Sequence, residues 1–268
     1  MAAETQYTAN TGMVKISTAN SNLDGTGTLG TVLTAASNGT LIKSIAIKAT
    51  GTTSQGMVRI FVYDGSNTRL LLEVPIDPLT PSATEPSFER LVEMDYFLKS
   101  GNVLKASTEV ANNFNVIAEG LDVAYYASSV RPESTNYTAN TGLALATTAN
   151  TNLDGSGTTY TPLTAGASGS GWKGCCINSL MIKAIATTTP GMVRIYVQNT
   201  GTGSSNTFLI TEIPILPQTP SATYPSYSEL IILPTKYQIQ AGYKIVASTE
   251  KSESFSITVD GMDWKYPS

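Results

Sequence analysis

Short runs of alternating apolar and polar residues recur along the chain, and they predict β-strands. In residues 56–62 (GMVRIFV), Val58, Ile60 and Val62 lie two positions apart, and residues 191–197 (GMVRIYV) repeat this spacing. A period of two with one apolar face is typical of a half-buried strand. Further strands are predicted at Met13–Thr18, Leu41–Ala49, Phe88–Met94, Val103–Ser107 and Phe114–Tyr125.

Helical signals are nearly absent from the sequence. No segment shows a capping residue followed by three turns of helical spacing. Turn residues separate the predicted strands at intervals of roughly 8 to 15 residues, which is typical of a β-sandwich. The pattern therefore predicts an all-β fold of the jelly-roll-like β-sandwich kind, and it does not distinguish a jelly roll from an immunoglobulin-like topology.

An internal repeat dominates the sequence. Four motifs occur twice in the same order: YTANTG at 7–12 and 137–142, NLDG at 22–25 and 152–155, GMVRI at 56–60 and 191–195, and ASTE at 106–109 and 247–250. The offset between the copies grows mainly in segments rich in Gly, Ser and Asn, where loops tolerate insertions. The sequence predicts two tandem homologous β-sandwich domains at residues 1–126 and 137–268, joined by a linker at 127–136.

The strand register predicts an ion pair in each copy. If Val62 and Leu70 share the inner face of a hairpin, Arg59 lies opposite Glu73 on the outer face. The same register in the second copy places Arg194 opposite Glu212. We expect either a solvated pair worth well under ~1 kcal/mol, or a marker of a surface that packs against something else.

The composition excludes several classes of chemistry. The 268 residues include no histidine, 13% are charged and the formal net charge is −4. A Ser-His-Asp or Cys-His nucleophile cannot be built without histidine, and most zinc sites are excluded as well. No pair of acidic residues is marked as a catalytic dyad, and Lys and Arg do not cluster as nucleic-acid binding requires. We therefore expect neither an enzyme nor a nucleic-acid-binding protein.

The remaining features are consistent with a chain made in a reducing cytoplasm. The only cysteines, Cys175 and Cys176, are adjacent, so no disulfide framework is expected. The first ten residues show neither a basic nor an apolar signal region, and no apolar run approaches the roughly 18 residues of a membrane span. No membrane association is expected.

Two kinds of ligand site are candidates from residue type alone. Asp24 and Asp154, in NLDGTG and NLDGSG, could ligate calcium, although an Asp-Gly turn explains the same residues and no later glutamate completes a calcium loop. No other cofactor is predicted. Four aromatic residues of the second copy could bind a sugar if they form an exposed row: Tyr160, Trp172, Tyr224 and Tyr227.

The repeated phrase YTANTG…TAN(S/T)NLDG(T/S)GT…GMVRI(F/Y)V…ASTE resembles repeats in structural proteins of tailed bacteriophages. The resemblance covers both copies and supplies no catalytic residue. It implies a virion component made in the host bacterial cytoplasm, either a capsid decoration or auxiliary protein or a head- or tail-associated one. It also implies other virion proteins as partners, and the duplication suggests a homotrimer in which six sandwiches give pseudo-sixfold symmetry. The alternative is a carbohydrate-binding or adhesin module.

Overall fold

The computed structural model describes residues 5–125, 136–221 and 225–266. The chain divides into two compact units, Met1–Thr80 with Ser87–Pro132, and Pro81–Pro86 with Glu133–Ser268. The predicted linker lies outside the described residues except for Asn136, which begins a strand, so the domain boundaries stay a prediction. No helix among the described residues is both long and apolar enough to span a membrane.

Within residues 5–125, the first unit contains eight strands: β1 (Thr5–Ile16), β2 (Gly30–Thr34), β3 (Thr40–Ala49), β4 (Gly56–Tyr63), β5 (Thr68–Ile76), β6 (Glu89–Leu98), β7 (Val103–Thr108) and β8 (Phe114–Tyr125). They form two sheets with the orders β1-β8-β3-β6 and β2-β7-β4-β5. The sequence pattern missed β2, which is short.

The second unit repeats this arrangement with its first strand split in two: β9 (Asn136–Ala139), β10 (Gly142–Ala146), β11 (Tyr160–Thr164), β12 (Gly174–Ala184), β13 (Gly191–Gln198), β14 (Thr207–Ile215), β15 (Ser228–Gln240), β16 (Lys244–Thr249) and β17 (Phe255–Lys265). One sheet has the order β10-β17-β12-β15, with β9 also paired to β17, and the other has the order β11-β16-β13-β14.

The pairing scheme identifies each unit as a jelly roll. In the first unit β1 pairs with β8, β2 with β7, β3 with β6 and β4 with β5, all antiparallel. The chain therefore folds back on itself as one long nested hairpin that wraps into two sheets, which is the jelly-roll topology. The predicted all-β, jelly-roll-like class is confirmed, and the strand order settles the choice between jelly roll and immunoglobulin-like topology.

The core of the first unit lies between its two sheets. Ile45 and Ile47 of one sheet and Ile60 and Leu104 of the other are fully buried within one apolar cluster. Each such side chain stabilises the fold by roughly 1.5–3 kcal/mol relative to an exposed position. This layer fixes which face of β4 points inward, and therefore which face carries Arg59.

A close approach between the two sheets explains the glycine of the repeated YTANTG motif. A Cβ atom at Gly12 would overlap the carbonyl oxygen of Val32, and one at Gly142 would overlap the carbonyl oxygen of Pro162. The backbones of β1 and β2, and those of β10 and β11, therefore touch at this point, and any side chain in place of the glycine would prevent the contact.

We predict that Gly142→Ala destabilises the second unit by about 1–3 kcal/mol or more, because the new methyl group has no space. Gly169→Ala is the matched control, since a Cβ at Gly169 meets nothing within 4 Å. Differential scanning calorimetry should show a melting temperature several degrees lower for Gly142→Ala only. Equal melting temperatures for the two variants would contradict the close approach.

Candidate functional site

The residues that the two copies share meet around a buried arginine. Arg59 is 4% exposed, although it lies on the face of β4 opposite the core. Its Nε donates to Oε1 of Glu73 at 2.8 Å, and its Nη2 donates to Oε1 of Glu109 at 2.9 Å. Its Nη1 donates to the carbonyl oxygen of Asn20 at 3.3 Å. One guanidinium thus ties β4 to β5, to the end of β7 and to the loop before β2.

That loop covers the arginine. We call residues 17–29 the Asn20 loop. The backbone amide of Asn20 donates to the carbonyl oxygen of Thr108, the last residue of β7, and Gly25 lies against Thr68 at the start of β5. The loop therefore crosses the outer face of the sheet from β7 to β5, above β4. Gly25 adopts a φ of +82°, which favours glycine in the NLDG motif.

The side chain of Asn20 holds the loop in shape. Its Nδ2 donates to the carbonyl oxygens of Thr26 and Thr28, both at 2.9 Å, and its Oδ1 accepts from the Asn22 amide at 3.1 Å. Asn150 makes the same three bonds at 2.8–3.0 Å. The repeated asparagine therefore closes the loop internally in both units.

The second unit repeats the arginine cluster at greater depth. Arg194 is 5% exposed, and its Nε donates to Oε1 of Glu212 at 3.0 Å. Its Nη1 donates to the Asn150 carbonyl at 3.1 Å, and its Nη2 lies 3.8 Å from Oε2 of Glu250. Glu212 is itself buried, whereas Glu73 is partly exposed. The cluster is therefore a shared property of the two jelly rolls.

The structure places the predicted partners opposite each other but corrects their environment. Arg59 pairs with Glu73 across β4 and β5, and Arg194 pairs with Glu212 across β13 and β14. Of the two alternatives, the solvated pair is wrong because the Asn20 loop and its counterpart cover the guanidinium groups, and the pairs instead mark a sheet face against which these loops pack. Sequence reasoning also missed Glu109 and Glu250, although the repeated ASTE motif contains both.

The inner-face part of the register prediction is also wrong. The pairing shifts by one residue between Ile60 and Phe61, so Leu70 lies opposite Phe61 and Val62 lies opposite Arg69. Because directly opposed residues share a face, Leu70 belongs to the face of Arg59 and not to the core. A β-bulge of this kind leaves no reliable signal in an alternating apolar run.

The arginine cluster is built for structure and not for proton transfer. Burial by itself lowers the pKa of Arg59, but the hydrogen bonds to Glu73 and Glu109 outweigh it and raise the pKa above its ordinary value. A permanently charged guanidinium held by acceptors on three sides cannot act as an acid or a base. Its role is to hold β4, β5, the end of β7 and the Asn20 loop together by hydrogen bonds.

The calcium candidates serve the loop turns. Oδ1 of Asp24 accepts from the hydroxyl and the amide of Thr26, and these bonds lower the pKa of the carboxyl. Oδ1 of Asp154 accepts from the Ser156 amide at 2.9 Å. Within residues 5–125, 136–221 and 225–266, no three His, Cys, Asp or Glu residues cluster as metal ligands. The Asp-Gly turn accounts for these bonds.

A second repeated cluster explains the asparagine of YTANTG. Nδ2 of Asn10 donates to the carbonyl oxygen of Thr34 in the facing sheet, at 3.3 Å, and to Oδ1 of Asp122 at 2.8 Å. Asn140 repeats both bonds to Thr164 and Asp263 at 2.9 and 3.0 Å. This side chain links the two sheets at one edge of each jelly roll.

The aromatic candidates do not form one surface. Trp172 lies two residues before β12, whereas the Tyr227 carbonyl accepts from the amide of Ala184 at the far end of that strand. A strand of this length spans roughly 30 Å. Tyr227 is buried, with 5% exposure. Tyr160 lies on β11 of the other sheet, and Tyr224 lies outside the described residues.

The cysteines are enclosed. Cys175 and Cys176 are both buried thiols in β12. Burial, reinforced by the nearby Asp263 carboxyl, raises the pKa of the Cys175 thiol well above its ordinary value. A thiol in this environment is a poor nucleophile.

The second unit exposes apolar side chains across a whole sheet. Leu143, Thr258, Met181 and Leu230 lie directly beside one another on β10, β17, β12 and β15. Leu143 is 74% exposed, Met181 42% and Leu230 54%. We call these four residues the exposed row. Leu145, two positions along β10, adds a further exposed apolar side chain on the same face.

No family model and no curated protein match the chain. Solved structures with a similar fold include one described as the triple jelly roll fold and turret assembly of an archaeal virus, at 13% identity and a TM-score of 0.29. The chain is covered over 98% of its length but spans only 60% of that protein.

Two further solved structures match nearly end to end. The major capsid protein of Sulfolobus turreted icosahedral virus shows 9% identity and a TM-score of 0.27, with 100% of this chain and 98% of that chain covered. Recombinant peptide:N-glycanase F shows 11% identity and a TM-score of 0.24, with 96% of each chain covered. These values describe a distant likeness, and the jelly-roll assignment rests on the strand order.

We predict that Glu212→Ala destabilises the second unit by about 3–5 kcal/mol, because it leaves the buried Arg194 charge without its main partner. Asp95→Ala is the control, since the Lys43–Asp95 pair is exposed and its loss should cost less than ~1 kcal/mol. Urea unfolding followed by circular dichroism measures both changes, and tryptophan fluorescence reports separately on the second unit, which contains Trp172 and Trp264. Similar destabilisation by the two substitutions would contradict the buried clamp.

The two units differ at one position of this cluster, which yields a reciprocal prediction. Tyr196 donates its hydroxyl to the Asn152 carbonyl at 2.9 Å and contacts the Ser248 hydroxyl at 3.3 Å. The first unit has Phe61 there, and the buried hydroxyl of Ser107 has no hydrogen-bond partner among the described residues.

We predict that Phe61→Tyr stabilises the first unit by about 0.5–1.5 kcal/mol, because the new hydroxyl can bond to Ser107. The reverse change, Tyr196→Phe, should destabilise the second unit by a similar amount. The free energies of unfolding of both variants are to be compared with the original chain. Destabilisation by Phe61→Tyr would show that the space beside Ser107 does not admit the hydroxyl.

Proposed function

We propose that the protein is a structural component of a virus particle and that it acts through protein–protein contacts. The exposed row of the second unit carries this proposal. Large contiguous apolar patches are rare on monomeric proteins and mark interaction sites. Three exposed apolar side chains lie along one row of four strands, interrupted by Thr258, and together they offer a surface suited to contact with another protein.

The fold supports the same function. Jelly rolls recur in viral capsid proteins and in lectin domains. The residues repeated in the two units are used inside each jelly roll, in the arginine cluster and in the Asn10 and Asn140 clusters. The corresponding row of the first unit, Met13, Ile117, Ala46 and Leu91, is also apolar but less exposed, since Ile117 is buried and Met13 and Ala46 are half-buried.

In the finer form of the proposal, the protein is a decoration, auxiliary or head- or tail-associated component of a tailed bacteriophage, and it assembles as a homotrimer. The repeated phrase supports the first part, and the duplication supports the second, because three double jelly rolls present six similar units around an axis.

We predict that the original chain is oligomeric and that Leu143→Glu combined with Met181→Glu weakens association by roughly 100-fold or more. Two glutamates remove apolar burial worth a few kcal/mol and introduce like charges. Leu23→Glu is the control, because Leu23 is exposed on the Asn20 loop of the other unit. Sedimentation analysis measures the association, and circular dichroism checks folding.

Purified virions test the location. Mass spectrometry should detect the original chain and the Leu23→Glu variant in the particle, and should detect far less of the double variant. A chain that stays monomeric at high concentration and is missing from purified particles would overturn the proposal.

A further inference from the structure

The first unit contains a small pocket between the end of β1 and the start of β2. Its volume is about 110 Å³, and the residues that line it include Lys15, Ser17, Thr18, Gly30 and Ser107. An engineered apolar cavity of roughly 150 Å³ takes up benzene, so a pocket of this size that opens to solvent can hold most of a six-membered ring. Its lining combines the Lys15 ammonium group and several hydroxyl groups with the apolar side chains of Ile16 and Leu29.

The second unit has an aromatic ring at the corresponding place. Gly30 corresponds to Tyr160, at the same offset of 130 residues that relates the two YTANTG motifs. The Tyr160 hydroxyl accepts from the amide of Thr148 at 3.0 Å and lies 3.1 Å from the Thr147 hydroxyl. Thr147 and Thr148 correspond to Ser17 and Thr18. The tyrosine therefore bridges the two segments that line the pocket in the first unit.

The neighbouring strand has compensating residues. The second unit carries Ala144 and Ala146 where the first carries Val14 and Ile16. A Cβ at Gly30 would lie 2.8 Å from a methyl group of Val14 and 3.0 Å from one of Ile16. The first unit therefore cannot supply its own ring at this position, and any ring that enters the pocket comes from outside.

The polar end of the site suits a phenolic oxygen. In the second unit, hydrogen bonds from Thr147 and Thr148 lower the pKa of Tyr160 to about 8. The first unit offers Ser17 and Thr18 at the same places and adds Lys15, where the second unit has Leu145.

We propose that this pocket binds the phenol ring of a tyrosyl side chain presented by another protein chain, with the ring hydroxyl beside Ser17 and Thr18. In the second unit the ring of Tyr160 occupies this site, whereas the first unit has Gly30 there and the ring would come from a partner chain. The inference does not depend on the proposed virion role, because the binding is a property of the isolated protein.

The test is a titration of the full chain with p-cresol, which is the tyrosine side chain without its backbone, followed by amide shifts in two-dimensional NMR. The shifts of Ser17, Thr18 and Gly30 should saturate with a Kd of roughly millimolar order, as for a very small ligand. Toluene, which lacks the hydroxyl, should bind at least tenfold more weakly. A short peptide with one tyrosine should shift the same amides, and its phenylalanine counterpart should not.

Two variants keep the test decisive. Gly30→Tyr with Val14→Ala and Ile16→Ala transfers the ring of the second unit into the first, and it should abolish p-cresol binding while the protein stays folded. Tyr160→Gly should lower the melting temperature of the second unit, and p-cresol, unlike toluene, should restore part of it.

Several results would overturn the proposal. They are p-cresol binding that survives the three-residue transfer, equal binding of toluene, displacement of p-cresol by inorganic phosphate, and rescue of Tyr160→Gly without any binding to the original first unit. Binding of p-cresol but not of the tyrosyl peptide would rule out a partner side chain as the occupant.

Discussion

A buried arginine in each jelly roll determines which loop covers the outer face of one sheet. The two sheets of a jelly roll can cover each other's inner faces, but the outer face of β4 lies open to water unless something crosses it. Arg59 and Arg194 hold a covering loop on that face by donating hydrogen bonds to the carbonyl oxygens of Asn20 and Asn150. A charge taken out of water requires partners on every side, so the glutamates and the loop must be in place together. The repeated motifs NLDG, GMVRI and ASTE are therefore parts of a single arrangement.

The two units keep this arrangement and change what surrounds it. In the second unit Tyr196, Leu209 and Val246 form a small apolar cluster with Leu153 of the covering loop. In the first unit Lys105 takes the place of Val246, and Leu23 and Leu70 are exposed. The second unit thus closes its loop with apolar contacts and a tyrosine hydroxyl, whereas the first unit keeps the polar clamp alone. The two units therefore share the arginine cluster and differ in the residues that pack around it.

Much of the fold could be predicted from local pattern. The alternation of apolar residues predicted most strands, because this signal is carried by residues close together in the chain. The repeated motifs predicted two similar domains, whose boundaries stay a prediction. The pairing of Arg59 with Glu73 was also predicted, because the register of the hairpin shifts only between Ile60 and the turn. The burial of that pair could not be predicted, because it depends on a loop that returns from about forty residues earlier in the sequence to cross the sheet. The bulge after Ile60 was also missed. Both faces of β4 are covered, so the apolar pattern does not show which residues face the core.

The surface features were beyond sequence reasoning for a different reason. Leu143, Met181 and Leu230 come from three distant segments, and only the strand order places them side by side. The aromatic residues considered for sugar binding show the opposite outcome. Trp172 and Tyr227 belong to the same half of the chain, but the fold places them at opposite ends of β12. Such sites depend on the topology, because the strand order β10-β17-β12-β15 in the sheet decides which side chains become neighbours.

Native-state hydrogen exchange tests the central role of the buried arginine most directly. The amides of Asn20 and Asn150 bond to the Thr108 and Thr249 carbonyls under the covering loops. If the arginine clamps these loops, both amides exchange only when the whole unit unfolds, with the same free energy as the amides of β4 and β13. Exchange at the rate of an exposed loop, while β4 and β13 stay protected, would contradict the account.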